Sequence, residues 1–314
     1  MDCTFVDTSR STYDYATGGT LPYRKLVTEV RYPTTSGPAG GETVGAHAAY
    51  RRGPFPLVIF APGYDVNPGQ YRELLDAWVE AGFVVAAPIF PDTNPAAVRA
   101  AKAGTNPEAD EVHQPGDVAF VTRQLEAAAR GTSSNCAFVH GLVRAAGPVA
   151  LTGQSDGGDT VAALAYQPVE AAAFAGLDVK AVAVLSGAEM QGAYGPGPAL
   201  LFVQSPNDTC NPPQQAAALY DAIGQSDRWF LETNSRTHIG PYNGREPQEA
   251  ALVARVTTAF LRSELEGGPV TTSLQRAAAG ATALGTLTAG VPAPAMPVRA
   301  ISIPSCRADV IPGA

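Results

Sequence analysis

Short continuous apolar runs alternate along the chain with segments in which apolar residues recur every three or four positions. The runs at 56–61 (Pro-Leu-Val-Ile-Phe-Ala), 83–89, 148–152, 179–185 and 199–203 lack polar alternation, as strands buried on both faces of a parallel sheet do. Between and after them, helical spacing predicts helices over 70–81 (stopped by Gly82), 116–130, 156–166, 212–223 and 246–265. Residues 24–32 are rich in β-branched side chains with partial alternation and end at Pro33, predicting an antiparallel first strand. A short edge strand is expected at 46–50 and the last strand at 228–232. Strands alternating with helices at this spacing predict an α/β fold with a doubly wound, mostly parallel sheet. Three stretches fall outside the pattern. Residues 1–23 read as a polar surface arm, and 92–115 as a long loop. Residues 266–314 read as an Ala/Gly/Pro-rich extension packed on the core, with one helix near 273–283 and a Pro-punctuated tail. The main α/β domain is therefore 24–265.

One junction carries chemistry. Pro148 to Thr152 leads into Gly153-Gln154-Ser155-Asp156-Gly157, and Gly158 to Leu164 continues at helical spacing. G-x-S-x-G between a buried strand and a helix is the pattern of a nucleophile elbow, a sharp turn that exposes a serine at the top of a sheet. In a chain with 32 glycines the motif alone is common, so its partners matter. A serine hydroxyl needs a base at neutral pH. Of His47, His113, His140 and His238, only His238 follows the last predicted strand, in a loop that can return over the sheet. A base needs an orienting carboxylate. Asp208, just past the strand at 199–203, gives the chain order Ser, Asp, His; Glu189, past the preceding strand, is the alternative acid. Two backbone N–H donors are expected for an oxyanion, from Asp156 and from Tyr64 in Pro62-Gly63-Tyr64-Asp65. Three placements thus agree on acyl transfer to water.

Composition narrows the partners. Apolar residues make up 45% and charged residues 16%, so the chain buries a core. A net charge of −8 argues against nucleic acid or anionic membrane as a partner. No run of 18 apolar residues exists, so no transmembrane segment is expected. Asp2-Cys3-Thr4 directly after Met1 lacks the basic and apolar regions of a signal peptide. The chain is then either a mature secreted form or cytoplasmic. Four cysteines, none in a C-x-x-C pair, favour disulfides and secretion over zinc chemistry, with three pairings open. No metal or other cofactor is expected, and a monomer is the expected state.

On Asp7-Thr8-Ser9-Arg10, Leu26-Val27-Thr28-Glu29-Val30-Arg31-Tyr32-Pro33, Phe60-Ala61-Pro62-Gly63-Tyr64, the 78–88 unit, the elbow and the Asp208 and His238 loops, the chain resembles α/β-hydrolases. The group is that of bacterial cutinases, polyester hydrolases and dienelactone-hydrolase-like proteins, and the resemblance spans roughly 5–265. It implies a triad of Ser155, Asp208 and His238, oxyanion donors Tyr64 and Asp156, and an ester as substrate. Tyr64, Gln154, Asp156 and Glu189 are expected to line the substrate cleft. The chain is also similar to bacterial lipases and platelet-activating-factor acetylhydrolases. It departs from polyester hydrolases, which carry methionine after the serine and an aromatic or His before it; here these are Asp156 and Gln154. A carboxylate in the cleft disfavours anionic acyl groups. The polyester cysteine beside the histidine has no counterpart here. The short 185–199 connection leaves no room for a helical lid, although 92–115 can serve as a partial cover. The expected function is hydrolysis of short-acyl esters, with cutin-like polyesters weaker; the rival is a catalytically idle scaffold used for binding.

Overall fold

A computed structural model of the chain describes residues 1–36, 42–188, 190–290 and 292–310. The strands are β1 (Asp2–Asp7), β2 (Thr12–Asp14), β3 (Gly19–Leu21), β4 (Arg24–Arg31), β5 (Leu57–Ala61), β6 (Val84–Ile89), β7 (Val149–Gln154), β8 (Val179–Leu185), β9 (Ala199–Gln204), β10 (Arg228–Thr233) and β11 (Gly285–Ala289). The helices are α1 (Arg72–Glu80), α2 (Pro95–Ala100), α3 (Gln114–Ala129), α4 (Asp156–Tyr166), α5 (Ala171–Phe174), α6 (Pro213–Ile223), α7 (Gly240–Asn243), α8 (Pro247–Glu266), α9 (Val270–Ala278) and α10 (Ile303–Val310). Among the described residues nine strands form one sheet, in the order β1-β4-β6-β5-β7-β8-β9-β10-β11. Strands β6 to β10 run parallel to one another, and antiparallel pairings close both edges: β4 with β6 and β1, and β10 with β11.

The apolar runs have no polar alternation because successive residues of one strand feed two cores. Leu57 and Ile59 of β5, Val182 and Val184 of β8, and Leu200 and Phe202 of β9 meet α3, α4 and α6 through Val121, Leu125, Val161 and Leu219. Val58 and Phe60, Ala183 and Leu185, and Leu201 and Val203 meet α1 and α8 on the opposite face, through Leu75, Trp78, Val256 and Phe260. The order reverses between β5 and β7, the carboxyl-end switch point at which such sheets open a crevice.

Four expectations change. The arm at 1–23 begins with edge strand β1, whose Cys3 and Phe5 point inward. The segment at 46–50 is not a strand: Ala48 makes one isolated bridge to Thr34, and a tight turn follows. The loop at 92–115 contains α2, capped by the Asn94 side chain, and a 3-10 turn over 107–113. The strand at 228–232 is not the sheet's edge, because the C-terminal extension returns as β11 and later forms α10. The cysteines pair as Cys3–Cys136 and Cys210–Cys306.

The 92–115 segment is held by charge. The buried Arg24 guanidinium forks onto Asp117 at 2.7 and 2.6 Å and onto Asp110 at 2.9 and 2.7 Å, joining β4 to α3 and the turn before it. Asp92, close by, has its carboxyl pushed up to about 7, by burial first and then by the Asp110 charge. Removing one partner of a buried ion cluster strands the others, so Arg24→Met should lower unfolding free energy by about 3–5 kcal/mol in a urea titration. For Asp92 the raised value means that the native state keeps a proton that the unfolded chain releases. The stability this gives is present at pH 4 and lost as pH rises through 7. Asp92→Asn should match wild type in Tm near pH 4 and exceed it at pH 8.

Candidate active site

The elbow is built by backbone contact. A Cβ on Gly157 would stand 2.0 Å from the Ala61 carbonyl oxygen, and one on Gly153 2.0 Å from that of Gly157. Only glycine lets β5, β7 and α4 meet here. Ser155 between them has φ 56° and ψ −129°, a conformation that costs a non-glycine residue about 1–3 kcal/mol. Its amide donates to the Leu185 carbonyl at 3.0 Å and its carbonyl accepts from Asp159, so the turn is held on both sides. Across from it, Gly63 packs so close that an added Cβ would lie 3.0 Å from the Ser155 Cβ. Asp65 (φ 58°) turns the loop onward, its amide bonded to Thr93 at 2.8 Å. Among the described residues, the amides of Tyr64 and Asp156 donate to no other residue's carbonyl.

Strand β10 delivers His238 and β9 delivers Asp208, at the same carboxyl end of the sheet. His238 Nδ1 lies 2.9 and 3.0 Å from the two Asp208 oxygens, with both side chains buried. Burial pushes the Asp208 carboxyl up, but His238 and the Asn211 and Cys210 amides at 2.8 Å outweigh it and hold the carboxyl below its ordinary value. Burial pushes the imidazole down, and Asp208, with Asp309 and Asp156, lifts it net above its ordinary value. The C-terminal extension completes this corner. Asp309 of α10 accepts from the His238 amide and from the Thr209 hydroxyl (2.7 Å), and Cys306 on the same helix is bonded to Cys210.

Among the described residues no hydrogen bond joins Ser155 to His238, and the ring's free nitrogen faces another side chain: His238 Nε2 lies 3.0 Å from Gln154 Nε2. Gln154, expected in the cleft, is instead only 1% exposed and sits behind the nucleophile, with Oε1 bonded to the Tyr71 hydroxyl at 2.7 Å. Its position next to a positive-φ serine points it inward, whereas the serine is half-buried. The Asp156 carboxylate has its Oδ2 buried without a partner. Burial, then the Glu108 charge, raises the Asp156 carboxyl to about 7, against a smaller lowering by its own amide and the Ser155 hydroxyl. Glu111 is raised to about 8 by burial, then by Asp156 and Glu108. Two carboxyl groups of the 92–115 segment thus act on Asp156, the residue after the serine. Tyr64 is half-buried beside them. Glu189 lies outside the described residues, and among those at 186–198 no helix forms a lid. His47 and His113 are exposed, and His140 bonds to the Ala129 carbonyl at 2.9 Å.

Tyr71 and Asp309 escaped the sequence reading. Nothing in the sequence marks Tyr71, which opens helix α1 seven positions after Tyr64. Asp309 had one signal: Cys306 beside it pairs with the cysteine two residues past the acid. The constellation offers a hydroxyl on a strained turn, an imidazole whose Nδ1 proton faces a carboxylate, and the amides of Tyr64 and Asp156, which among the described residues donate to no other residue's carbonyl. Such a set can run acyl transfer.

Neither a family model nor a curated protein matches the chain. Among solved structures it is similar to a ferulic acid esterase from Streptomyces cinnamoneus, with a TM-score of 0.63 at 17% identity, covering 85% of this chain and 90% of that one. At this identity the likeness concerns the fold, and with the strand order it shows an α/β-hydrolase fold.

If α10 anchors the histidine loop, the double change Cys210→Ser with Cys306→Ser should loosen that loop more than the sheet. Amide exchange at His238 should quicken by about tenfold or more, equivalent to roughly 1.4 kcal/mol of lost local protection, while β5 and β7 amides change little.

Proposed function

We propose that the chain is a serine carboxylic ester hydrolase working through an acyl-enzyme. The observation that carries this reading is the buried His238–Asp208 pair, bonded through Nδ1 at 2.9 Å, whose Nε2 meets Gln154, the residue before a serine on a positive-φ strand-to-helix turn. His238 Nε2 takes the Oγ proton as Ser155 attacks the ester carbonyl. Asp208 keeps the ring oriented and stabilises the imidazolium without itself taking the proton. The Tyr64 and Asp156 amides receive the charge that forms on the carbonyl oxygen. The imidazolium returns its proton to the leaving alcohol, and water repeats the sequence on the acyl-enzyme.

The likeness to an esterase supports ester over other acyl substrates, and the lidless connection at 186–198 supports short or accessible acyl groups, with cutin-like polyesters a weaker activity. Two disulfides support an oxidising, extracellular setting. The contact between Gln154 and the base is what favours the rival, an idle scaffold, and covalent labelling of Ser155 by a fluorophosphonate separates the two.

With p-nitrophenyl butyrate, Ser155→Ala should lose about 10³–10⁴-fold or more in kcat; retained turnover overturns the assignment. Asp208→Ala should cost far more than Glu189→Ala. The Asp156 carboxyl, at about 7, is uncharged below that pH and anionic above it. Preference for a neutral over an anionic acyl ester should therefore grow as pH rises from 6 to 8, and Asp156→Asn should flatten that trend.

A further inference from the structure

The hydrogen bonds around Gln154 fix their own directions. The Gly63 amide donates to the Tyr71 oxygen at 3.2 Å, so the Tyr71 proton goes to Gln154 Oε1 at 2.7 Å. That places the amide NH₂ toward His238, where it meets Nε2 at 3.0 Å and the His238 carbonyl oxygen at 3.5 Å. A carbonyl can only accept, which agrees with the same orientation. An N–H directed at Nε2 requires a lone pair there, so the ring proton sits on Nδ1, facing Asp208. All the side chains in this line are buried.

We infer that Gln154 is a positioning residue that sets the protonation form of the histidine base: through Tyr71 it holds an N–H on Nε2, keeps the ring neutral with its proton on Nδ1, and opposes the imidazolium. An imidazolium would set N–H against N–H at 3.0 Å, so it forms only when the Gln154 amide gives way. Proton uptake by the base is thereby coupled to displacement of one side chain. The ring has other charged neighbours. Asp208 faces Nδ1, Asp309 of α10 accepts from the His238 amide, and Asp156 of α4 lies toward the nucleophile. Arg245 is paired with Asp309, and Glu246 bonds to Thr237, on the ring's own loop. The carboxylates favour the charged ring, and the Gln154 amide at Nε2 opposes them.

For its kinetic arm the inference rests on the esterase reading, but its spectroscopic arm does not. The His238 ring nitrogens should be followed by ¹⁵N NMR through a pH titration in wild type, Gln154→Met, Gln154→Glu and Tyr71→Phe, with Tm recorded for each. Wild type should show a protonated Nδ1 and a hydrogen-bonded, unprotonated Nε2 at neutral pH. Loss of one donor to the neutral ring should raise the midpoint by about one pH unit in Gln154→Met. Gln154→Glu, which replaces the donor with an acceptor, should raise it further, and Tyr71→Phe should give a smaller rise. A purely structural role would lower Tm and leave the midpoints alone. Unchanged tautomer and midpoints in the folded variants overturn the inference; should Gln154→Glu not fold, the near-isosteric Tyr71→Phe decides. The acid limb of kcat/KM for p-nitrophenyl butyrate should move with the NMR midpoint. An NMR shift without any ester turnover would leave Gln154's role standing and remove the esterase reading instead.

Discussion

The site depends first on how closely three backbones meet. Strand β5, strand β7 and helix α4 converge where Gly157 faces the Ala61 carbonyl at a distance no side chain tolerates. That contact brings the turn at Ser155 against the loop at Gly63. It also dictates which way the flanking side chains go. The turn that lifts Ser155 out of the sheet drives Gln154 down beneath His238 and leaves Asp156 at the helix start, facing the serine hydroxyl. Any residue before the serine would be forced under the histidine in the same way. Its hydrogen-bonding character therefore acts on the base rather than on the substrate.

Charge is the second organising theme, and its arrangement is lopsided. Arg24 carries two aspartates on four hydrogen bonds and so satisfies the carboxylates that hold the 92–115 segment. Among the described residues no such cation pairs with Asp156 or with Glu108 and Glu111, which act on it. Asp156 and Glu111 are left to share burial and mutual repulsion, which hold protons on them near neutrality. Asp159 deeper in α4 is raised as well, by burial and then by these neighbours, although the Ala188 amide bonds it at 2.5 Å. The same segment is thus anchored by paired acids at its far side and brings unpaired ones to the crevice.

Much of this was legible in the sequence because its causes are local. Strands β5 to β9 announce themselves as unbroken apolar runs, since both of their faces are covered. The Gly153 and Gly157 spacing is a steric requirement written directly into residue type. The Asp208–His238 pairing follows from the neighbouring parallel strands β9 and β10, whose carboxyl ends deliver the two loops side by side. The misreadings have equally concrete origins. Strand β1 has an inward pair, Cys3 and Phe5, too brief to stand out among polar neighbours. Strand β11 (Gly-Thr-Leu-Thr-Ala) is an edge with only Gly285 buried, so no apolar period marks it. Helix α2 did carry the Asn94-Pro95 start signal inside a stretch whose Gly and Pro content suggests a loop. Gln154 and Tyr71 were beyond reach for a different reason. Their meaning lies in one helix start approaching one strand end, which no single segment encodes.

The bond between Cys210 and Cys306, with Asp309 three residues further on, has a consequence in time. A growing chain presents Ser155, then Asp208, then His238, and all three are out before the residue that holds the histidine loop by its backbone has been added. Until the two sulfurs are joined, the chain carries every reactive group but lacks the clasp that sets the last of them. The contact from Asp309 to the His238 backbone is therefore the last of these to become available as the chain grows, and the bond that ties its helix to the Asp208 loop is one that a reducing solution would open.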